Sequence, residues 1–103
     1  MYGEIVAGSL TINPACRAVT VNNKDVHLTT AEFDLLYYLA QNSGEVLSRD
    51  KIYSELRGIE YDGIDRSIDL RVSRLRRKIG DGKNHPRKII SIRGIGYLFA
   101  MEK

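Results

Sequence analysis

Apolar residues recur at two different spacings along this chain, and the change from one to the other marks out its parts. Over the first 28 residues the spacing is short. "LTIN" (10–13) and "RAVTV" (17–21) alternate β-branched and polar positions, and "VHL" (26–28) returns as a hairpin partner. Asn13-Pro14 and "NNK" (22–24) supply the turns between them.

From Thr29 the spacing becomes helical. In "TTAEFDLLYYLAQNSG" the residues Phe33, Leu36, Leu39 and Ala40 share one face. Thr29 is the expected N-cap, Glu32 completes a capping box, and Gly44 is the expected stop. Ser48 caps a second predicted helix, "RDKIYSEL", with Ile52 and Leu56 facing inward. Arg49 lies in its first turn, where a cation opposes the helix dipole. The plain alternative for such an arginine is a solvated side chain.

The loop 57–63 leads to a third helix, for which Asp62 is a candidate N-cap and Asp65 a favourable charge. At about 100° per residue, Ile64, Val72, Leu75 and Ile79 fall within about 40° of Ile68, an unbroken buried stripe. A polar loop, "GDGKNHPRK" (80–88), is broken by Gly80, Gly82 and Pro86. "IISI" (89–92) and "YLFA" (97–100) read as two strands joined through "RGIG" (93–96), whose two glycines can take positive φ. Strands, three helices and a hairpin give an α+β chain, a winged helix-turn-helix with an N-terminal antiparallel sheet and a C-terminal wing. At 103 residues it is read as one domain, 1–103.

Charge changes the picture because of where it lies. The net value is +3, but residues 1–47 sum to −3 and residues 48–103 to +6. Within 66–78 there are six cations and one carboxylate. On the helical projection Arg66, Arg71, Arg74, Arg77 and Lys78 spread opposite the apolar stripe, from about 160° to 300°, with Leu70, Ser67 and Ser73 among them. Arg76 falls nearer the core edge, beside Asp69. Repulsion along such a face opposes the helix, so burial of the stripe must hold it.

Duplex DNA suits this face. An α-helix fits the major groove, where arginine pairs with guanine and serine or lysine meets phosphate. Leu70, apolar at the centre of a basic surface, is odd for plain solvation but suits a thymine methyl. Arg93, at the hairpin turn, could reach an adjacent narrow minor groove. Lys83, Arg87 and Lys88 are near-phosphate candidates or merely solvated charge. A module for RNA would call for exposed aromatics on a sheet. A winged helix serving protein contacts alone would not need the cations.

Nothing assembles a catalytic set. His27, His85 and Cys16 have no zinc-type spacing, and "GIG" (94–96) precedes a strand rather than a helix. No enzyme activity, metal or cofactor is expected. A single cysteine and the lack of any apolar run near about 18 residues point to a cytoplasmic protein with no membrane partner.

The four segments "LTTAEFDLLYYL", "GEVLSRDKI", "DRSIDLRVSRLRRKI" and "IRGIGYLF" together resemble the C-terminal effector domain of OmpR/PhoB-type response regulators, over nearly the whole chain. The run 56–79 is most similar to the RstA-type subgroup. The resemblance implies transcription control by sequence-specific binding of double-stranded DNA, with a recognition helix beginning near Asp65. Carried over by position, Arg74 would read bases with Leu70 and Arg71 as groove-facing neighbours. Arg93 would enter the minor groove. Arg49, Arg66, Ser73, Arg76, Ser91 and Tyr97 match phosphate-holding positions, and Arg77 joins them from its place on the helix. Ser73 stands where some relatives carry arginine, and Arg71 where several carry a smaller or uncharged residue. The resemblance further implies a receiver domain, absent from these residues and phosphorylated by a histidine kinase. It also implies a contact with RNA polymerase through 57–63, and an isolated domain that is monomeric yet pairs head to tail on tandem half-sites.

Overall fold

A computed structural model of the chain describes residues 3–56, 67–82 and 88–100. The alternating N-terminal segments form four antiparallel strands in sequential order: β1 (Ile5–Ala7), β2 (Leu10–Asn13), β3 (Ala18–Val21) and β4 (Lys24–Val26). Val21 pairs with Lys24, so the turn between β3 and β4 holds only Asn22 and Asn23, at φ 53° and 65°. Positive φ at both central residues matches the right-handed twist of the flanking strands, and asparagine tolerates it. The expected three-residue turn is thus one residue shorter, and β4 begins at Lys24 instead of Val26. β1 was not expected from the alternation; Ile5 pairs with Ile12 and Ala7 with Leu10.

Three helices follow: α1 (Thr30–Gln41), α2 (Arg49–Glu55) and α3 (Ser67–Ile79). Thr29 caps α1 as expected. Its hydroxyl accepts from the Glu32 amide at 3.1 Å while the Glu32 carboxylate accepts from the Thr29 amide at 2.9 Å. The helix ends on Asn42, whose side-chain amide donates to the Tyr38 carbonyl. Gly44, at φ 84°, comes two residues later in the turn and donates its N–H to the Phe99 carbonyl. That bond precedes a strand the sequence did not announce, β5 (Val46–Ser48). β5 is one edge of a second sheet, ordered β5-β7-β6, with β6 (Ile89–Ile92) and β7 (Gly96–Phe99) forming the wing.

Of the two wing glycines only Gly94 takes positive φ, 76°. Gly96 is an ordinary strand residue paired with Ser48, and its lack of a side chain is a matter of space: a Cβ there would lie 2.0 Å from the Leu47 carbonyl oxygen. α3 closes on Gly80 at φ 75°, with the Gly80 N–H reaching the Arg77 carbonyl and the Asp81 N–H the Arg76 carbonyl.

The two sheets and three helices share one core. Leu10, Ile12 and Val19 of the first sheet, Phe33, Leu35, Leu36 and Leu39 of α1, and Ile52 of α2 are buried together with Leu47, Ile89 and Phe99 of the second sheet. Ile68, Val72, Leu75 and Ile79 supply the α3 contribution, as the helical projection requires. Their burial, at about 1.5–3 kcal/mol per large apolar side chain, outweighs the repulsion on the opposite face. Asp62, Ile64, Asp65 and the loop 57–63 lie outside the described residues. Among the described residues no helix is long and apolar enough to cross a membrane.

Candidate nucleic-acid interface

With its apolar stripe turned inward, α3 presents Leu70, Ser73, Arg74, Arg77 and Lys78 to solvent, while Asp69, Arg71 and Arg76 are half-buried. Leu70 is 54% exposed and stands among the cations of that face. The side chains of Arg74 and Arg77 make no hydrogen bond or ion pair with another described residue. Arg71 has a buried Nη1 without a hydrogen-bond partner. Arg66 lies outside the described residues.

The other cations are engaged. Lys78 donates to Glu32 at 2.6 Å, tying the end of α3 to the start of α1. Burial pushes the Glu32 carboxyl up, but Lys78 and the Thr29 cap more than offset it and hold the group below the usual glutamate value. Arg76 reaches β6: its Nε and Nη2 donate to the Ile89 carbonyl at 3.0 and 2.6 Å, and Nη2 also donates to the Ser91 hydroxyl at 2.8 Å. This joins two of the phosphate-position residues to each other and fixes the wing to α3.

Arg49 lies at the N-terminus of α2, with no partner near it along the chain. Its Nε donates to Asp69 of α3 at 3.0 Å, and its guanidinium lies over the Tyr97 ring at 5.2 Å. The Arg76 guanidinium is 5.8 Å from the same ring. The Tyr97 hydroxyl donates to the Asp69 carboxylate. Tyr97 is buried, and burial together with the bond to a negative partner pushes its phenol up to about 12. Four side chains from α2, α3 and β7 thus meet where the helices join the wing.

At the wing tip the Ile95 N–H donates to the Ile92 carbonyl at 3.0 Å, closing the turn. Arg93 and Ile95 both project from it, and Arg93 makes no side-chain bond with another described residue. Ile95 was not singled out in the sequence. The available signal was its setting, an apolar residue between two glycines in a turn, with no core to face. Asp69 carried a signal as well, the one carboxylate among six cations. Lys88 donates its backbone N–H to Asp81, and Lys83 and Arg87 fall outside the described residues. Among the described residues no three His, Cys, Asp or Glu side chains group as metal ligands do.

Residues 23–99 match the family model described as transcriptional regulatory protein, C terminal. The transcriptional regulatory protein RstA of Escherichia coli K12 is 46% identical over 99 residues, which cover 96% of this chain and 41% of that protein. The chain therefore spans about two fifths of this relative. Among solved structures, the crystal structure of the Klebsiella pneumoniae RstA DNA-binding domain in complex with RstA box is similar at a TM-score of 0.87. It is 45% identical, with 96% of this chain and 98% of that one covered. The solution structure of the C-terminal effector domain of BfmR from Acinetobacter baumannii is similar at a TM-score of 0.82 and 50% identity, covering 97% and 92%.

Proposed function

The chain belongs to the family of transcriptional regulatory protein C-terminal domains, the winged-helix effector domains of OmpR/PhoB-type response regulators, and from that premise we propose how it binds. It recognises specific sequences of double-stranded DNA with α3 in the major groove and the wing arginine in the adjacent minor groove. The observation that carries this is the outer face of α3. Leu70, Arg74 and Arg77 stand exposed there, with no described partner for either cation, on a helix whose opposite side is sealed into the core.

On this reading Arg74 reads a base edge, with Leu70 against a thymine methyl and Arg71 beside them. Arg93 enters the minor groove. Arg49, Arg66, Ser73, Arg76, Arg77 and Ser91 meet the backbone, which sets register and supplies most of the affinity. Tyr97, buried with its hydroxyl on Asp69, backs the Arg49 guanidinium instead of touching a phosphate. Arg76 and Ser91, already bonded to each other, would do so as one unit. The likeness to a DNA-binding domain whose structure includes RstA box supports a duplex partner. The same reading makes the domain a monomer alone and a tandem pair on half-sites. It works beside a receiver domain phosphorylated by a histidine kinase, reaches RNA polymerase through 57–63, and acts in the cytoplasm.

A salt titration tests it. Log K for duplex DNA should fall linearly with log salt, with a slope on the order of −0.9 for each phosphate neutralised. Arg74→Ala should cost about 1–3 kcal/mol on the preferred site and much less on random duplex. Equal losses on both would assign Arg74 to the backbone, and salt-insensitive binding would remove the electrostatic basis.

A further inference from the structure

Asp69 is a carboxylate in the first turn of the helix proposed to meet a polyanion. Coulomb's law makes it a liability there, repelling the phosphates that its neighbours attract. Its contacts suggest what offsets the repulsion. The Asp69 carboxylate accepts two bonds at once, from Arg49 Nε on α2 and from the buried Tyr97 hydroxyl on β7. The bond from Arg49 uses Nε–H, one of five donors on a planar group. Fixing Nε against a carboxylate, with the guanidinium plane over an aromatic ring, orients the terminal fork, and about a third of the Arg49 side chain remains exposed. A free arginine would lose considerable rotamer entropy on seizing a phosphate, whereas one already held has lost it in folding.

The geometry points to Asp69 as a positioning residue, which together with Tyr97 holds Arg49 so that its terminal N–H groups face the DNA backbone. This rests on the duplex-binding reading above and adds a role for a residue that reading leaves idle. Asp69 need not touch DNA. It works through Arg49, and the three elements it joins keep that arginine in register with α3.

The test turns on a sign. Asp69→Asn keeps the side chain's shape and removes a negative charge, so charge alone would predict tighter binding. Positioning predicts the opposite. On random-sequence duplex the variant chain should bind roughly fivefold more weakly, with a salt slope shallower by about 0.9, one phosphate contact. In an Arg49→Ala background, Asp69→Asn should cause no further loss. Arg49→Lys gives a second arm. It keeps the charge, but one ammonium cannot bond Asp69 and present a fork, so it should weaken binding as Asp69→Asn does. If Asp69→Asn does not fold, as judged by circular dichroism, Arg49→Lys decides the matter.

Unchanged or tighter binding by Asp69→Asn, additive losses with Arg49→Ala, or native binding by Arg49→Lys would each overturn the inference. Failure of the unaltered chain to bind duplex in a salt-dependent way would instead overturn the proposed function, so the two failures are distinguishable.

Discussion

Tyr97 carries a proton that the fold holds on to. Burial and the Asp69 carboxylate raise its phenol from 10 to about 12, so the folded chain keeps it protonated where the unfolded chain has lost it. A raised acid contributes stability that is complete below the unfolded value and disappears as pH rises through the folded one. The native chain should therefore lose melting temperature between about pH 10 and 12 more steeply than Tyr97→Phe, which has no proton to lose there. The variant should be the less stable of the two below pH 10, and the gap should close as pH rises. Parallel curves in thermal melts across that range would mean the hydroxyl is not held as described. At this scale the sequence revealed least. Arg49 invited attention as a cation at the wrong end of a helix, but its partner lies 20 residues away and its stacking ring on another strand. No periodicity encodes a contact that depends on how α2, α3 and β7 come together.

Elements were more legible where they were long or locally capped. The capping box at Thr29 and the apolar stripe of α3 are written in spacings of three and four residues, and both are present in the fold. β1 and β5 were missed for a physical reason. Each has three residues, too few to display alternation, and each exists through pairing, β5 with a strand about 50 residues further on. That pairing also explains Gly96. The sequence suggested conformational freedom, whereas the position demands the absence of a side chain beneath the Leu47 carbonyl. Gly96→Ala should separate β5 from β7 and destabilise the chain by more than about 2 kcal/mol in denaturant melts. Gly94→Ala meets no neighbour within 4 Å and faces only the strain of positive φ, so it should cost about 1 kcal/mol. Equal costs would refute the steric account.

Across the whole molecule, the uneven charge of the two halves was plain from the sequence, and the fold gathers the cations of α3 onto a surface shared with the wing. Arg76 bonds the Ile89 carbonyl and the Ser91 hydroxyl, while Tyr97 bonds Asp69, so α3 and the β6–β7 hairpin are fastened at two points. On the proposed reading Arg93→Ala should weaken binding more when the flank of the site is A/T-rich than when it is G/C-rich, because only a narrow groove draws the guanidinium in. A competition assay with paired flanks measures it, and indifference to the flank would reject insertion.

Ser48 ends β5 opposite Gly96, and the same residue's hydroxyl caps α2 by accepting from the Lys51 amide. Sheet and α2 consequently meet without an intervening hinge, and with α3 fastened to the wing the gap between the two parts proposed to reach the grooves is preset. A target whose helical phase does not suit that gap would have to twist or bend itself to fit. Base pairs touched by neither part would then influence affinity through their own stiffness.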